Sequence, residues 1–231
     1  MTTSKRMHVA DFKHLLTHDP EQLVAMSQAG SDQLPLDFVE AKLQGTAWPA
    51  GLRMLHARFD GADFTGAVFT GEVSFMHSSF RGARLRSVSA DSALFQYCNA
   101  AKADFSAAYL PAVAFYGTTL VRATFDNCTL AATSMQDCVF DGASLRGALV
   151  GSLTHILDCQ GIYDAGLDSR GYRFVGVRTA HGVYIKAGCR WLTYPAALKH
   201  WEPNKDARAR VALLKTAYDI DRAARPMVRA A

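Results

Sequence analysis

From residue 57 onward, two registers of apolar or small side chains run through the chain with a period of five. A large apolar residue stands at Phe59, Phe64 and Phe69. After one extra residue near Glu72, the register resumes at Phe75, Phe80, Leu85, Ala90, Phe95, Ala100, Phe105, Leu110, Phe115, Leu120, Phe125, Leu130, Met135, Phe140, Leu145 and Val150. Only Ala90 and Ala100 are small. Two places earlier lies a small or β-branched residue, from Ala57, Ala62 and Ala67 to Cys138, Ala143 and Ala148. The residue between the registers is mostly polar, as at Asp63, Arg84, Asn99 and Asp104. Inward side chains at i and i+2 are strand geometry. A helix cannot hold a five-residue period on one face, because ~3.6 residues per turn carries successive fives around its axis. The chain must therefore turn a corner at every unit, and four corners restore its direction. The pattern predicts coils of about 20 residues stacked at the ~4.8 Å spacing of neighbouring strands. Phe59, Phe64, Phe69, Phe75, Phe80, Phe95, Phe105, Phe115, Phe125 and Phe140 are the expected core. Gly61, Gly66, Gly71, Gly82, Gly117, Gly142 and Gly147 fall two places after a central residue. A corner with positive φ suits glycine there.

The units ADFTG (62–66), ARLRS (83–87) and ADFSA (103–107) resemble the motif of the pentapeptide-repeat family, loosely A-(D/N)-L-x-x. The resemblance covers residues 57–151. It implies a right-handed quadrilateral β-helix, so the fold class is mainly β. Asp or Asn precedes the central residue in few units, a departure from the family average. Fainter units start earlier, at LDFVE (36–40), AKLQG (41–45) and TAWPA (46–50), with a one-residue slip near Arg53.

An open coil end exposes its apolar core, so both ends need covers. Residues 8–17 read as one short helix. A second follows Asp19-Pro20, with Asp19 at N-cap, Pro20 at the first position and Gly30 as its stop. In the last third, GYRFVGVR (171–178) reads as a strand with Tyr172 and Phe174 buried, AHG as a turn, and VYIKAGCRWLT (183–193) as a second strand. Thr193 caps a helix over 194–201. A longer helix over 206–224 carries Val211, Leu214 and Tyr218 on one stripe, with Leu213, Ala217 and Ile220 beside it, and ends at Pro226. The expected division is an N-terminal helical cap (1–35), a β-helix (36–153) and a small C-terminal α+β module of hairpin and helices (154–231). The run AGCRWLTYPAALKHW is similar to a module of phage and prophage proteins, which implies a viral context and no particular chemistry.

The charge is +4 overall, and its distribution matters more. Residues 1–51 hold 4 basic and 6 acidic side chains, residues 52–150 hold 8 and 8, and residues 151–231 hold 13 and 7. The basic excess, including Lys205, Arg208, Arg210, Lys215, Arg222, Arg225 and Arg229, sits in the last segment. It allows weak, non-specific contact with phosphates. No apolar run approaches the ~18 residues of a membrane span. The N-terminus lacks the apolar stretch of a signal peptide. The five cysteines are odd in number and without a CxxC pair, which fits a reduced, cytoplasmic setting.

Chemistry is sparse. Cys189 and His200 are an imaginable nucleophile and base, with no third residue to orient them. His14 and His18 are four apart, with His18 just beyond the expected helix 8–17, and two imidazoles alone do not make a zinc site. Cys98, Cys128 and Cys138 fall in the small register and read as core. No enzyme, cofactor or metal is expected. Arg190, Trp191, His200 and Trp201 form the candidate binding group, suited to stacking on a base or sugar; the plainer reading has the two tryptophans staple hairpin to helix. The expected function is a non-enzymatic protein-interaction scaffold of phage or prophage origin, binding a host or viral protein through solenoid faces. One alternative is suggested by the family: DNA mimicry acting on DNA gyrase or another topoisomerase. It would need Asp60, Asp91, Asp104, Asp126, Asp137 and Asp141 to gather on one face. The other alternative is a small-ligand or nucleotide binder. Homodimer formation through a coil end or the last helix is a further expectation.

Overall fold

The computed structural model describes residues 7–29 and 37–225. Gly30, Leu36, Pro226 and Arg229 lie outside the described residues. Two short helices come first, α1 (Val9–His18) and α2 (Pro20–Ala29). The Asp19 carboxylate accepts a hydrogen bond from the Gln22 amide at 3.0 Å, satisfying one of the free amides at the start of α2. His18 is the last residue of α1, and its ring stacks on His14 at 4.2 Å, so the helix does reach His18. Phe12, Leu16 and Leu23 are buried in the same core as the repeats, with the Phe12 ring 5.0 Å from Phe38 and 5.3 Å from Trp48.

A β-solenoid follows. Its strands are short: β1 (Ala47–Trp48), β2 (Arg53–Leu55), β3 (Val68–Phe69), β4 (Ser74–Met76), β5 (Ser89–Ala90), β6 (Leu94–Gln96), β7 (Ala114–Tyr116), β8 (Thr129–Leu130), β9 (Ser134–Gln136), β10 (Leu149–Val150) and β11 (His155–Leu157). All pair in parallel, one coil to the next. One ladder runs β2-β4-β6-β7-β9-β11. A second joins β1, β3 and β5 to β8 and β10 through Tyr109. Two more are rows of single bridges, Asp37-Arg58-Ser79-Asn99-Thr119-Val139-Gln160 and Lys42-Asp63-Arg84-Asp104-Thr124-Ser144. Each coil thus carries four ladders, and pairing extends from Asp37 to Gln160. The extra residues near Gly51, near Glu72 and between Val150 and Ile156 all fall at one corner, between the second ladder and the first. A single-residue insertion there lengthens a turn without shifting any inward side chain.

The two registers are the core. Every central residue from Phe59 to Leu145 is at most 1% exposed, and only Val150, at the last coil, is half-buried. The small register is buried throughout. Where it carries a hydroxyl, the backbone takes the proton: Thr118 donates to the Phe95 carbonyl at 2.9 Å and Thr133 to the Leu110 carbonyl at 2.8 Å. Burial pushes the thiols of Cys98 and Cys128 up to about 12, so they stay protonated and inert.

The corners are left-handed. The seven expected glycines all have positive φ, and so do residues such as Lys102, Ala107 and Asn127. This conformation alone is therefore affordable to a side chain. Gly66 (φ +69°) has open space where a Cβ would stand, and Gly66→Ala should cost about 1 kcal/mol. Gly161 differs: at φ +74° its Cβ would meet the Asp141 amide nitrogen at 2.8 Å. Gly161→Ala should cost more than about 2 kcal/mol. Urea melts of both variants check the contrast, and equal costs would contradict it.

Beyond Gly161 the chain forms an antiparallel meander of β12 (Ile162–Leu167), β13 (Arg173–Thr179), β14 (Gly182–Ala187) and β15 (Arg190–Thr193), then α3 (Tyr194–His200) and α4 (Lys205–Ala224). Three expectations need correction. The run 183–193 is two strands, because Gly188 turns the chain at φ +54°. Tyr172 is not buried but 49% exposed, since the strand begins only at Arg173. Thr193 precedes α3 without a capping side-chain bond. Alternation along β13 gives the sheet two apolar faces. Val175 and Val177 join the solenoid core, while Phe174 packs with Trp201, Val211, Leu214 and Tyr218 from the helix side. Leu213 and Ile220 stand 58% and 66% exposed on the outer side of α4.

Candidate functional site

Among the described residues, two places set exposed polar or aromatic groups on a fixed backbone. The first is the solenoid surface. The four ladders differ in what they turn outward. The bridge rows carry charge, and neighbouring rungs neutralise each other: Arg58 lies 3.3 Å from Asp37, and Arg84 lies 3.7 Å from Asp63. The β2-β4-β6 ladder ends in a corner of stacked rings, His56 on His77 at 5.3 Å and His77 on Tyr97 at 5.2 Å. The remaining ladder presents Ala47, Val68, Ser89, Tyr109, Thr129 and Leu149, a row without a charge. Val68, Tyr109 and Leu149 in this row are 42%, 54% and 58% exposed. Asp60 and Asp141 flank one bridge row, Asp104 stands in the other and Asp126 flanks it, Asp91 follows the uncharged row and Asp137 lies on the corner of rings. The six carboxylates therefore do not gather on one face.

The second place is a cleft of about 190 Å³ in the C-terminal module. Its floor is Phe174 and Trp201, whose rings meet edge-on at 5.0 Å. The turn Gly188-Cys189 and Arg190 form one wall, and His200 at the end of α3 forms another. Arg170 and Tyr172 close the third side. Arg170 is held there by Asp168, whose side chain is fully buried: Nε and Nη2 both donate to Asp168 Oδ2, at 2.9 and 2.6 Å. The same carboxylate accepts the amides of Arg170 and Tyr172. Burial would raise the Asp168 pKa, but these hydrogen bonds outweigh it and hold the carboxyl below its ordinary 3.8.

Of the expected group, Arg190, His200 and Trp201 meet in the cleft. Trp191 does not. It is one residue on along β15, so it points to the opposite face, where it stacks on Tyr184 at 5.4 Å and packs against the solenoid core. Cys189 and His200 share the cleft, but among the described residues no hydrogen bond joins them and no carboxylate orients the imidazole. Arg170, Tyr172 and Asp168 were missed. The signal was the turn D-S-R-G-Y, in which an aspartate caps its own turn ahead of a glycine. Much of the basic excess is spent internally, with Arg210 on Asp206, Lys215 on Asp219, and Arg225 on Asp221. Among the described residues no group of three or more histidines, cysteines and carboxylates could hold a metal ion, and no helix is long and apolar enough to cross a membrane.

No family model matches the chain, and no curated protein matches it. Solved structures do show partial overlap. QnrB1, a plasmid-mediated fluoroquinolone resistance protein, overlaps with a TM-score of 0.40 at 18% identity, over 58% of this chain and 75% of that one. Rfr23, a pentapeptide repeat protein from the cyanobacterium Cyanothece 51142, overlaps with a TM-score of 0.34 at 14% identity, over 66% and 95%. HetL, a pentapeptide repeat protein involved in heterocyst differentiation regulation in Nostoc sp. strain PCC 7120, gives 0.20 at 11%, over 67% and 93%. Overlaps this loose carry no conclusion about what the chain binds.

Proposed function

We propose that the protein is a non-enzymatic interaction scaffold that docks another protein on its solenoid. The reading includes a right-handed, four-sided column, with α1 and α2 covering its first coil and the C-terminal module covering its last. The observation that carries it is the uncharged row from Ala47 to Leu149. A charged row binds water strongly and loses that hydration on docking, whereas Val68, Tyr109 and Leu149 gain by burial. The row spans about 24 Å at the spacing of parallel strands, and its backbone is fixed by the ladders, so little ordering is needed on contact. The likeness of residues 187–201 to phage modules makes a host or viral protein the partner class. The spread of carboxylates over several faces counts against the topoisomerase reading, which needs one acidic rod.

A photo-crosslinking side chain at Thr129 tests the docking face against one at Thr124, on a charged row. The Thr129 probe should give a discrete adduct in native-host lysate that Tyr109→Arg removes. Equal adducts from Thr124, or none from Thr129, would refute this choice of face. A supercoiling assay with the same protein should show no effect; inhibition or protection would favour the topoisomerase alternative.

A further inference from the structure

We propose that the C-terminal cleft binds a small phosphate ester carrying a planar ring, of the class of a nucleoside monophosphate. This site is independent of the docking row. Two guanidinium groups reach it from different elements. Arg170 uses two of its donors on the buried Asp168 carboxylate, so its fork is fixed before any ligand arrives, and its side chain stays 45% exposed. Arg190 is exposed at the start of β15, and among the described residues it has no ion-pair partner. His200 adds an imidazole from the third side. Asp168 and Arg170 cancel in charge, which leaves Arg190 as the unpaired cation of the cleft wall, while the guanidinium donors suit the several oxygens of a phosphate.

The other half of the recognition is flat and apolar. Tyr172 is half-exposed, with the Arg170 guanidinium 5.2 Å from its ring centre, and Trp201 forms part of the floor. A planar ring can stack on the exposed side of Tyr172, while Trp201, only 6% exposed, backs the cleft beneath it. At about 190 Å³ the cleft is smaller than a pocket that encloses a whole ligand, so it would hold the anionic group and part of the ring, with the rest of the ester at its mouth.

Cys189 supplies the test. It is the exposed cysteine and it lies in the cleft wall, whereas Cys98, Cys128 and Cys138 are buried. Alkylation of Cys189 by iodoacetamide, followed on the full chain by peptide mass mapping, reads occupancy directly. With AMP at about 5 mM the rate should fall about sixfold, as a dissociation constant near 1 mM requires. Adenosine and inorganic phosphate, tested separately, should each slow the reaction less than about twofold, since each lacks half of the contacts. Arg190→Gln should abolish the protection by AMP while leaving the melting temperature unchanged. Unslowed labelling in AMP, full protection by phosphate alone, or undiminished protection in Arg190→Gln would each overturn the proposal.

Discussion

Phe105→Ala is expected to destabilise the solenoid by about 3–5 kcal/mol, the range for emptying a buried aromatic site. Phe105 is fully buried at the centre of its coil. Its ring lies parallel to that of Phe125 at 4.9 Å and edge-on to Phe115 at 5.8 Å and Phe95 at 6.1 Å. The coil cannot shrink around the void, because its length is set by four backbone ladders. Each coil touches only its neighbours, so the damage should be local before it is global. Hydrogen exchange should accelerate first over the coils holding Phe95, Phe105 and Phe125 and leave the sheet β12 to β15 protected. Thr119→Ala, on an outward row, should stay within about 0.5 kcal/mol in the same urea melt. A loss below about 1 kcal/mol for Phe105→Ala would mean that the column is not packed as described.

Arg178→Ala should cost about as much, 3–5 kcal/mol, by a different route. Arg178 is 1% exposed on β13. Its guanidinium lies 3.0 Å from the Asp221 carboxylate of α4 and 3.6 Å from Asp141 at the last full coil. Its own amide donates to the Gly161 carbonyl, and its carbonyl accepts the amide of Gly142. Arg225 closes the group by donating to Asp221 and to the Gln160 side chain. Solenoid, sheet and terminal helix therefore share one ionic knot. It is not fully satisfied, since Arg178 Nε and Asp141 Oδ1 are buried without a hydrogen bond. Removing the arginine leaves two partly buried carboxylates facing one remaining guanidinium, which is the expensive outcome.

Acid separates this knot from simple packing. Burial works to raise the Asp221 pKa, but hydrogen bonds from Tyr163, Arg225 and Arg178 outweigh it and hold the carboxyl below 3.8. A carboxyl depressed in the folded state contributes stability above its unfolded pKa and loses it as pH falls through the folded value. The gap between the native chain and Arg178→Ala should thus be full at neutral pH and narrow below the ordinary carboxylate range. A gap that stays constant down to about pH 3 would show that the arginine acts by bulk and not by charge.

The period of five was enough to specify the column, because only a chain that turns at every unit can keep one residue type inside. Phe59 to Leu145 could be placed in the core from spacing alone, as could the small register beside them. The corner glycines were legible for the same reason. The flat row from Val68 to Leu149 was not, since which units share a face depends on coil length, and the extra residues near Gly51 and Glu72 reset the count. In the last segment no repeat constrains the fold. A glycine at position 188 split one expected strand into two, and strand alternation then sent Trp191 away from Arg190. The cleft exists only because the sheet packs between solenoid and α4, bringing Arg170, Arg190 and His200 together from separate stretches of chain. Short-range periodicity settles what repeats; charge pairing and packing across distant segments settle what does not.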